Sequence, residues 1–211
     1  MEDYTSSHGK PSKALLGLFD ILESFILAIV CVMLTYLFFV KFSIVDGSSM
    51  ETTLHDGDYL LATNVFFSYE PEVGDVVIIQ ANASYNTKEL NGDIVEHFYD
   101  APLVKRVIAT EGQTITINAS SDKYTIFVDG QVVDTSRNEF IFVDQYPKFL
   151  SLCSYDEETE IYTVTVPEDS IFVLGDNREN SLDSRAFGFF HKRNVLGKAV
   201  FRINNGMGAV K

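Results

Sequence analysis

The apolar positions of this chain fall into two regimes. From Ser24 to Val40 the run SFILAIVCVMLTYLFFV carries no charge over 17 residues. LLGLFDIL (Leu15–Leu22) extends the apolar character upstream, broken by Asp20 and followed by Glu23. Seventeen helical residues reach about 25 Å, slightly short of a hydrocarbon core of about 30 Å, and the upstream turn closes the gap. The run is apolar on every face, which suits neither a surface helix nor an amphipathic attachment. Its exit reads FFVKFSIV, without the small-residue cleavage site of a removable signal peptide. The pattern predicts one spanning helix within residues 14–41, after a polar tail at 1–13. Lys10 and Lys13 precede it and only Lys41 follows closely. The positive-inside bias therefore puts the N-terminus in the cytoplasm and the rest of the chain outside the cell membrane.

Beyond Phe42 the pattern changes to short β-type runs separated by turns. GDVVII (Gly74–Ile79) reads as a buried strand after a turn, and LVKRVIAT (Leu103–Thr110) as a β-branched strand around a basic pair. TITIN is followed by YTIFV-DG-QVV, a hairpin with Asp129–Gly130 as a type I′ turn. EFIFV (139–143), EIYTVTV (160–166) and SIFVL (170–174) are further strands, and no amphipathic helix follows residue 42. The expected fold is mainly β. A core formed by residues 42–112 and 166–204 holds an inserted, smaller β subdomain at 113–165, and residues 205–211 form a C-terminal tail.

Charge narrows the partners. With 16 Lys and Arg against 30 Asp and Glu, the net charge is −14. Binding to a phosphate backbone needs a basic face, so nucleic acid is excluded as the expected partner. The two cysteines, Cys31 inside the apolar run and Cys153 far beyond it, cannot meet if the run spans a bilayer. The histidines His8, His55, His97 and His191 show neither zinc spacing nor a recognisable triad context. No metal and no cofactor is expected.

Two segments carry more chemistry than a scaffold requires. VDGSSMETTLHDGD (Val45–Asp58) sets two serines beside an apolar Met50. GDNRENSLDSRAFG (Gly175–Gly188) packs aspartates, arginines and serines directly after an apolar strand. Between them, Lys105 and Arg106 sit within a strand otherwise made of apolar residues. Charges that dense could form a solvated loop, but the three features together point to a site.

VDGSSMETTL resembles the nucleophile box of bacterial type I signal peptidases, in which a serine precedes a methionine in a GxSMxPTL pattern. LVKRVIA resembles the box that holds their general-base lysine, GDVVII the strand between, and FVLGDNRENSLDSRAFG the C-terminal box almost throughout. Order and spacing agree from about residue 24 to residue 202. The resemblance implies a membrane-bound serine endopeptidase that removes signal peptides from secretory preproteins after small residues, on a signal-peptidase-type β core. It assigns the nucleophile to Ser49 and the general base to Lys105. Chemistry agrees on the lysine, since arginine cannot lose its proton. An ordinary lysine would be only about 0.4% neutral at pH 8. Burial among Leu103, Val104, Val107 and Ile108 disfavours its charged form.

The resemblance further implies that Ser181 hydrogen-bonds the lysine nitrogen, and that Asp183, Arg185, Asp176 and Arg106 form supporting ion pairs. Val45 and Met50, which flank the serine, would line a shallow substrate pocket. Three departures stand out. Thr52 replaces the usual proline, Gly47 replaces a serine that in some members donates to the oxyanion, and ATEGQ follows where a PGD turn is common. Nine residue steps from Val40 to Ser49 span at most about 30 Å, so the serine is tethered near the lipid bilayer. Two competing functions have less support. A self-cleaving repressor with the same dyad would need a DNA-binding N-terminus in place of the apolar run. A non-catalytic, membrane-tethered β domain would have no use for both Ser49 and Lys105.

Overall fold

The structure, a computed structural model, describes residues 13–64, 69–89, 92–118, 125–133 and 147–210. The expected strand at 139–143 and the tail at 1–12 lie outside these residues. The chain divides into two compact units, at residues 1–39 and 40–211.

The first unit is helix α1 (Lys13–Phe39). Within it Leu16–Tyr36 is long and apolar enough to cross a membrane. Its large side chains, among them Leu18, Phe25 and Val32, are exposed rather than packed. The helix ends two residues before the expected limit of the apolar segment. Val40, Lys41 and Phe42 belong to strand β1 (Val40–Ile44), because β-branched and aromatic residues there pair with a neighbouring strand.

The second unit is built of two sheets. The larger has the order β1-β2-β12-β3-β4-β10-β11, with β13 paired to β12. Here β2 is Tyr59–Asn64, β3 Val76–Lys88, β4 Ile94–Thr110, β10 Ser170–Leu174, β11 Phe190–His191, β12 Val195–Arg202 and β13 Gly208–Ala209. Strands β3 and β4 make a long hairpin paired from Val76 with Arg106 to Lys88 with Ile94. The expected C-terminal tail is thus partly ordered, since Gly208–Ala209 return to pair with β12.

The smaller sheet runs β7-β6-β5-β9-β8, with β5 Thr114–Asn118, β6 Thr125–Val128, β7 Gln131–Val132, β8 Ser154–Asp156 and β9 Ile161–Thr165. The β6–β7 turn has positive φ at both Asp129 and Gly130, as a type I′ turn demands. The only helices described after α1 are short: α2 (Pro147–Leu150), α3 (Ser184–Phe187) and two 3-10 turns.

Packing explains how the smaller sheet attaches. Ile115, Ile117 and Ile126 share one buried cluster with Ile108 and Ala109 of β4, Phe172 and Leu174 of β10, and Phe149 of α2. Alternate residues of β5 point into this cluster, the period-2 pattern of a sheet with one covered face. A second cluster, with Val45, Met50, Leu54, Leu60, Val76 and Ala199, fills the space behind the turn that carries Ser49. That burial fixes the turn, because a packed interior transmits any displacement to its neighbours.

Candidate active site

The turn after β1 is shaped by backbone and side-chain hydrogen bonds. Val45 N–H donates to Asp58 O at 2.9 Å, and Gly47 N–H donates to the Asp56 carboxylate at 2.8 Å. Leu54 N–H and Thr53 N–H donate to Met50 O at 2.8 and 3.0 Å, giving one tight turn directly after Ser49. Met50 is wholly buried, so the apolar side chain next to the serine anchors the turn in the core. Thr52 sits at φ +81°, a value that a proline ring, fixed near −65°, cannot adopt. Replacing the usual proline therefore does more than loosen a turn: it permits a different backbone.

Lys105 comes from β4, opposite Val77 of β3. On its other side β4 pairs with β10 only as far as Arg106, opposite Leu174. The chain then leaves the sheet at Gly175, which opens the edge of β4 beside Lys105. The lysine is 2% exposed. Its Nζ lies 2.7 Å from Ser49 Oγ and 2.9 Å from Val104 O. Burial pulls the amine down to a pKa of about 8; the carboxylates of Asp183 and Asp176 oppose this and Arg185 assists it. An amine near neutrality within hydrogen-bond distance of a hydroxyl can donate to it as an ammonium or accept its proton when neutral.

Two buried ion pairs frame the dyad. Arg106 grips Asp176 in fork geometry, Nε to Oδ1 at 2.9 Å and Nη2 to Oδ2 at 2.7 Å, and Nη1 donates to Gly74 O at 2.6 Å. Thr53 Oγ donates to the same carboxylate at 2.5 Å, tying the serine turn to this pair. Arg185 grips Asp183 through Nε and Nη2, both at 2.8 Å. Asp183 also accepts from Gly175 N–H at 3.1 Å. Burial alone would raise the Asp183 carboxyl, but the Arg185 guanidinium and these donors hold it below the usual carboxylate range. The four expected ion-pair residues are thus brought together around the loop that faces Ser49.

Ser181 differs from expectation. Its buried Oγ makes no hydrogen bond to Lys105, whose amine bonds to Ser49 and Val104 instead. The side chain is packed over Gly175, where a Cβ would fall 2.1 Å from Ser181 Oγ. Val45 and Met50 do line a cavity of about 270 Å³ with Ser49, Tyr99 and Lys105. A second cavity of about 280 Å³ also borders Ser49 and Lys105 and is lined in addition by Asn180 and Leu182.

Sequence reasoning passed over three contributors. Gly175 lets the loop approach Ser49, Ser184 Oγ accepts from Val173 N–H at 2.9 Å, and Asn177 holds both carbonyls of the serine pair. Each lies in the GDNRENSLDSR stretch, where the charged residues and Ser181 drew notice. The histidines are elsewhere: His97 stacks on Tyr85, and neither it nor His55 nor His191 lines either cavity beside Ser49.

Comparison with known proteins identifies the family. Residues 18–204 match the family described as Signal peptidase, peptidase S26. A probable signal peptidase I-1 of Synechocystis sp. is 30% identical, over 83% of this chain and 76% of that protein. A signal peptidase I of Bacillus licheniformis is 30% identical over 88% of each chain. A crystal structure of a signal peptidase I from Enterococcus faecalis aligns over 64% of this chain and all of that one, at 24% identity and a TM-score of 0.36. That score is too low to support a fold comparison.

Proposed function

The chain belongs to the signal peptidase, peptidase S26, family of serine endopeptidases that remove signal peptides, and on that premise we propose that Ser49 is its nucleophile and Lys105 its general base. The observation that carries this reading is the 2.7 Å approach of Lys105 Nζ to Ser49 Oγ inside a buried pocket. Neutral Lys105 takes the hydroxyl proton as Ser49 Oγ attacks the scissile carbonyl. The resulting oxyanion is met by Ser49 N–H, which donates to no protein acceptor among the described residues. The new ammonium of Lys105 then gives its proton to the leaving amine, and the signal-peptide portion remains esterified to Ser49. A water that loses its proton to Lys105 hydrolyses the ester and restores both side chains. Asp183, Arg185, Asp176 and Arg106 position the dyad. Ion pairs of this kind orient groups more reliably than they stabilise a fold.

Substrate geometry follows from the open sheet edges. Among the described residues, β1 is an edge strand, and residues 99–105 of β4 pair only with β3. Both edges border the cavity of about 270 Å³ that contains Val45 and Met50. An extended segment entering there can hydrogen-bond to a free edge as an added strand. Alternate side chains, the first and third before the cut, then share one cavity with the backbone between them, which favours small residues. Helix α1 anchors the chain in the bilayer with the tail in the cytoplasm and the catalytic unit outside, where signal peptides of secretory preproteins emerge.

The pH dependence of cleavage tests the base. The reactive form is the neutral amine, so its population falls as pH drops through the folded-state value of about 8. For the purified full chain in detergent with a preprotein substrate, kcat/KM rises about tenfold per pH unit below that value and levels above it. Activity that stays flat across this range contradicts a lysine base.

A further inference from the structure

We infer that Asn177 is a positioning residue that aims the Ser49 N–H at the oxyanion by holding the carbonyls on both sides of it. This rests on the Ser49 reading above and extends it to the orientation of the donor. Asn177 N–H donates to Ser49 O at 3.0 Å, and its side-chain Nδ2 donates to Ser48 O at 3.1 Å. One residue therefore grips two successive peptide units.

Peptide geometry converts that grip into a direction. No peptide bond among the described residues is cis, so the Ser48 carbonyl and the Ser49 N–H lie in one plane and point opposite ways. With the carbonyl turned toward Asn177, the N–H must point away from the Gly175–Asn180 loop. The cavity of about 270 Å³ lies beside Ser49 and is lined by no residue of that loop. A carbonyl attacked by Ser49 from that side meets the N–H directly.

Two further observations separate this role from ordinary loop structure. Asn177 stands at the N-cap of the 3-10 turn Arg178–Asn180, where an asparagine side chain commonly accepts from the turn's own N–H groups. Here the side chain makes no capping bond, and its amide is committed to Ser48 O. The approach also depends on Gly175, whose missing side chain leaves the space that a Cβ would occupy 2.5 Å from Ser49 O. The same loop adds a third contact, from Asn180 Nδ2 to Ser48 Oγ at 2.6 Å.

The test compares Asn177→Ala and the isosteric Asn177→Asp in the full chain. Aspartate keeps the backbone N–H but turns an oxygen toward the Ser48 carbonyl. Both variants are expected to lose about tenfold to a hundredfold in kcat with KM within about threefold, short of the loss of a complete oxyanion donor. Affinity for a peptide aldehyde, whose adduct with Ser49 places an oxygen at the oxyanion position, falls in proportion to kcat/KM. The acid limb of the pH profile does not move. In the wild-type chain, which needs no variant to fold, the Ser49 amide proton resonance shifts downfield when the aldehyde binds. Wild-type kcat in Asn177→Asp, a loss confined to KM, or an unmoved Ser49 amide overturns the inference. If Ser49→Ala stays inactive through any of these, the dyad stands and only the role of Asn177 falls. Activity in Ser49→Ala removes the reading beneath it.

Discussion

Lys105→Met abolishes preprotein cleavage, by about a thousandfold or more, and at pH 7 leaves a protein more stable than the wild type. The first effect follows from removing the only group among the described residues within hydrogen-bond distance of Ser49 Oγ that can take its proton, since a positioned base contributes about 10²–10⁴. The second follows from linkage. Burial lowers the amine from 10.5 to about 8, so the folded protein holds the charged form at a penalty of about 3 kcal/mol. Below the folded value both states are protonated and the penalty is complete. As pH rises from there toward the unfolded value, the unfolded chain binds more protons, and wild-type stability rises. Methionine, of similar length and uncharged, has no such penalty. Its advantage is therefore present at pH 7 and fades as pH climbs past about 8 toward 10.5. Cleavage assays together with thermal unfolding at both ends of that range check both effects, and an active or less stable variant at pH 7 contradicts the account.

Gly175→Ala lowers activity at least about a hundredfold and destabilises the domain by about 1–3 kcal/mol. The added Cβ would meet Ser181 Oγ at 2.1 Å, Ser49 O at 2.5 Å and Ser181 Cβ at 2.6 Å. Two of these are parts of a buried side chain with little room to turn, and the third is the carbonyl of the nucleophile itself. The loop must retreat, and the bonds from Asn177 to Ser48 and Ser49 lengthen with it. Gly47→Ala is the instructive comparison. Nothing lies within 4 Å of a Cβ there, although its φ of +89° is unfavourable for a side chain. That change weakens the turn by about 1 kcal/mol without pushing the loop away. Steady-state kinetics and denaturant titrations of the two variants separate steric displacement from backbone strain.

How much of this could be read from the residues depends on the range of the interaction. The apolar helix, the 129–130 hairpin turn and the strands around Lys105 follow from local periodicity and turn chemistry, and each is present. The end of the helix at Phe39 was not legible, because Val40 and Phe42 are as apolar as the helix before them and only pairing with β2 draws them into a strand. Gly208–Ala209 escaped for the same reason, since pairing with β12 is a tertiary event.

At the site, Ser49 and Lys105 were named from resemblance and from the chemistry of a buried amine. Their separation of 56 residues in the chain left the contact itself unreadable. Charged side chains announce themselves, and so the ion-pair residues were found. Gly175 and Asn177 act through absent atoms and backbone carbonyls, which no residue type advertises. The expected bond from Ser181 to the lysine was carried over by resemblance and does not form in this packing.

The claim on which the mechanism depends is an amine that burial has brought down to about 8, so that its neutral form is available near physiological pH, and a carbon-13 titration of the lysine ε-methylene resonances in the full chain measures it directly. One resonance, missing from Lys105→Met, is predicted to titrate near 8. If the Lys105 resonance titrates near 10.5 in an enzyme already at full activity at pH 8, the amine is not the base.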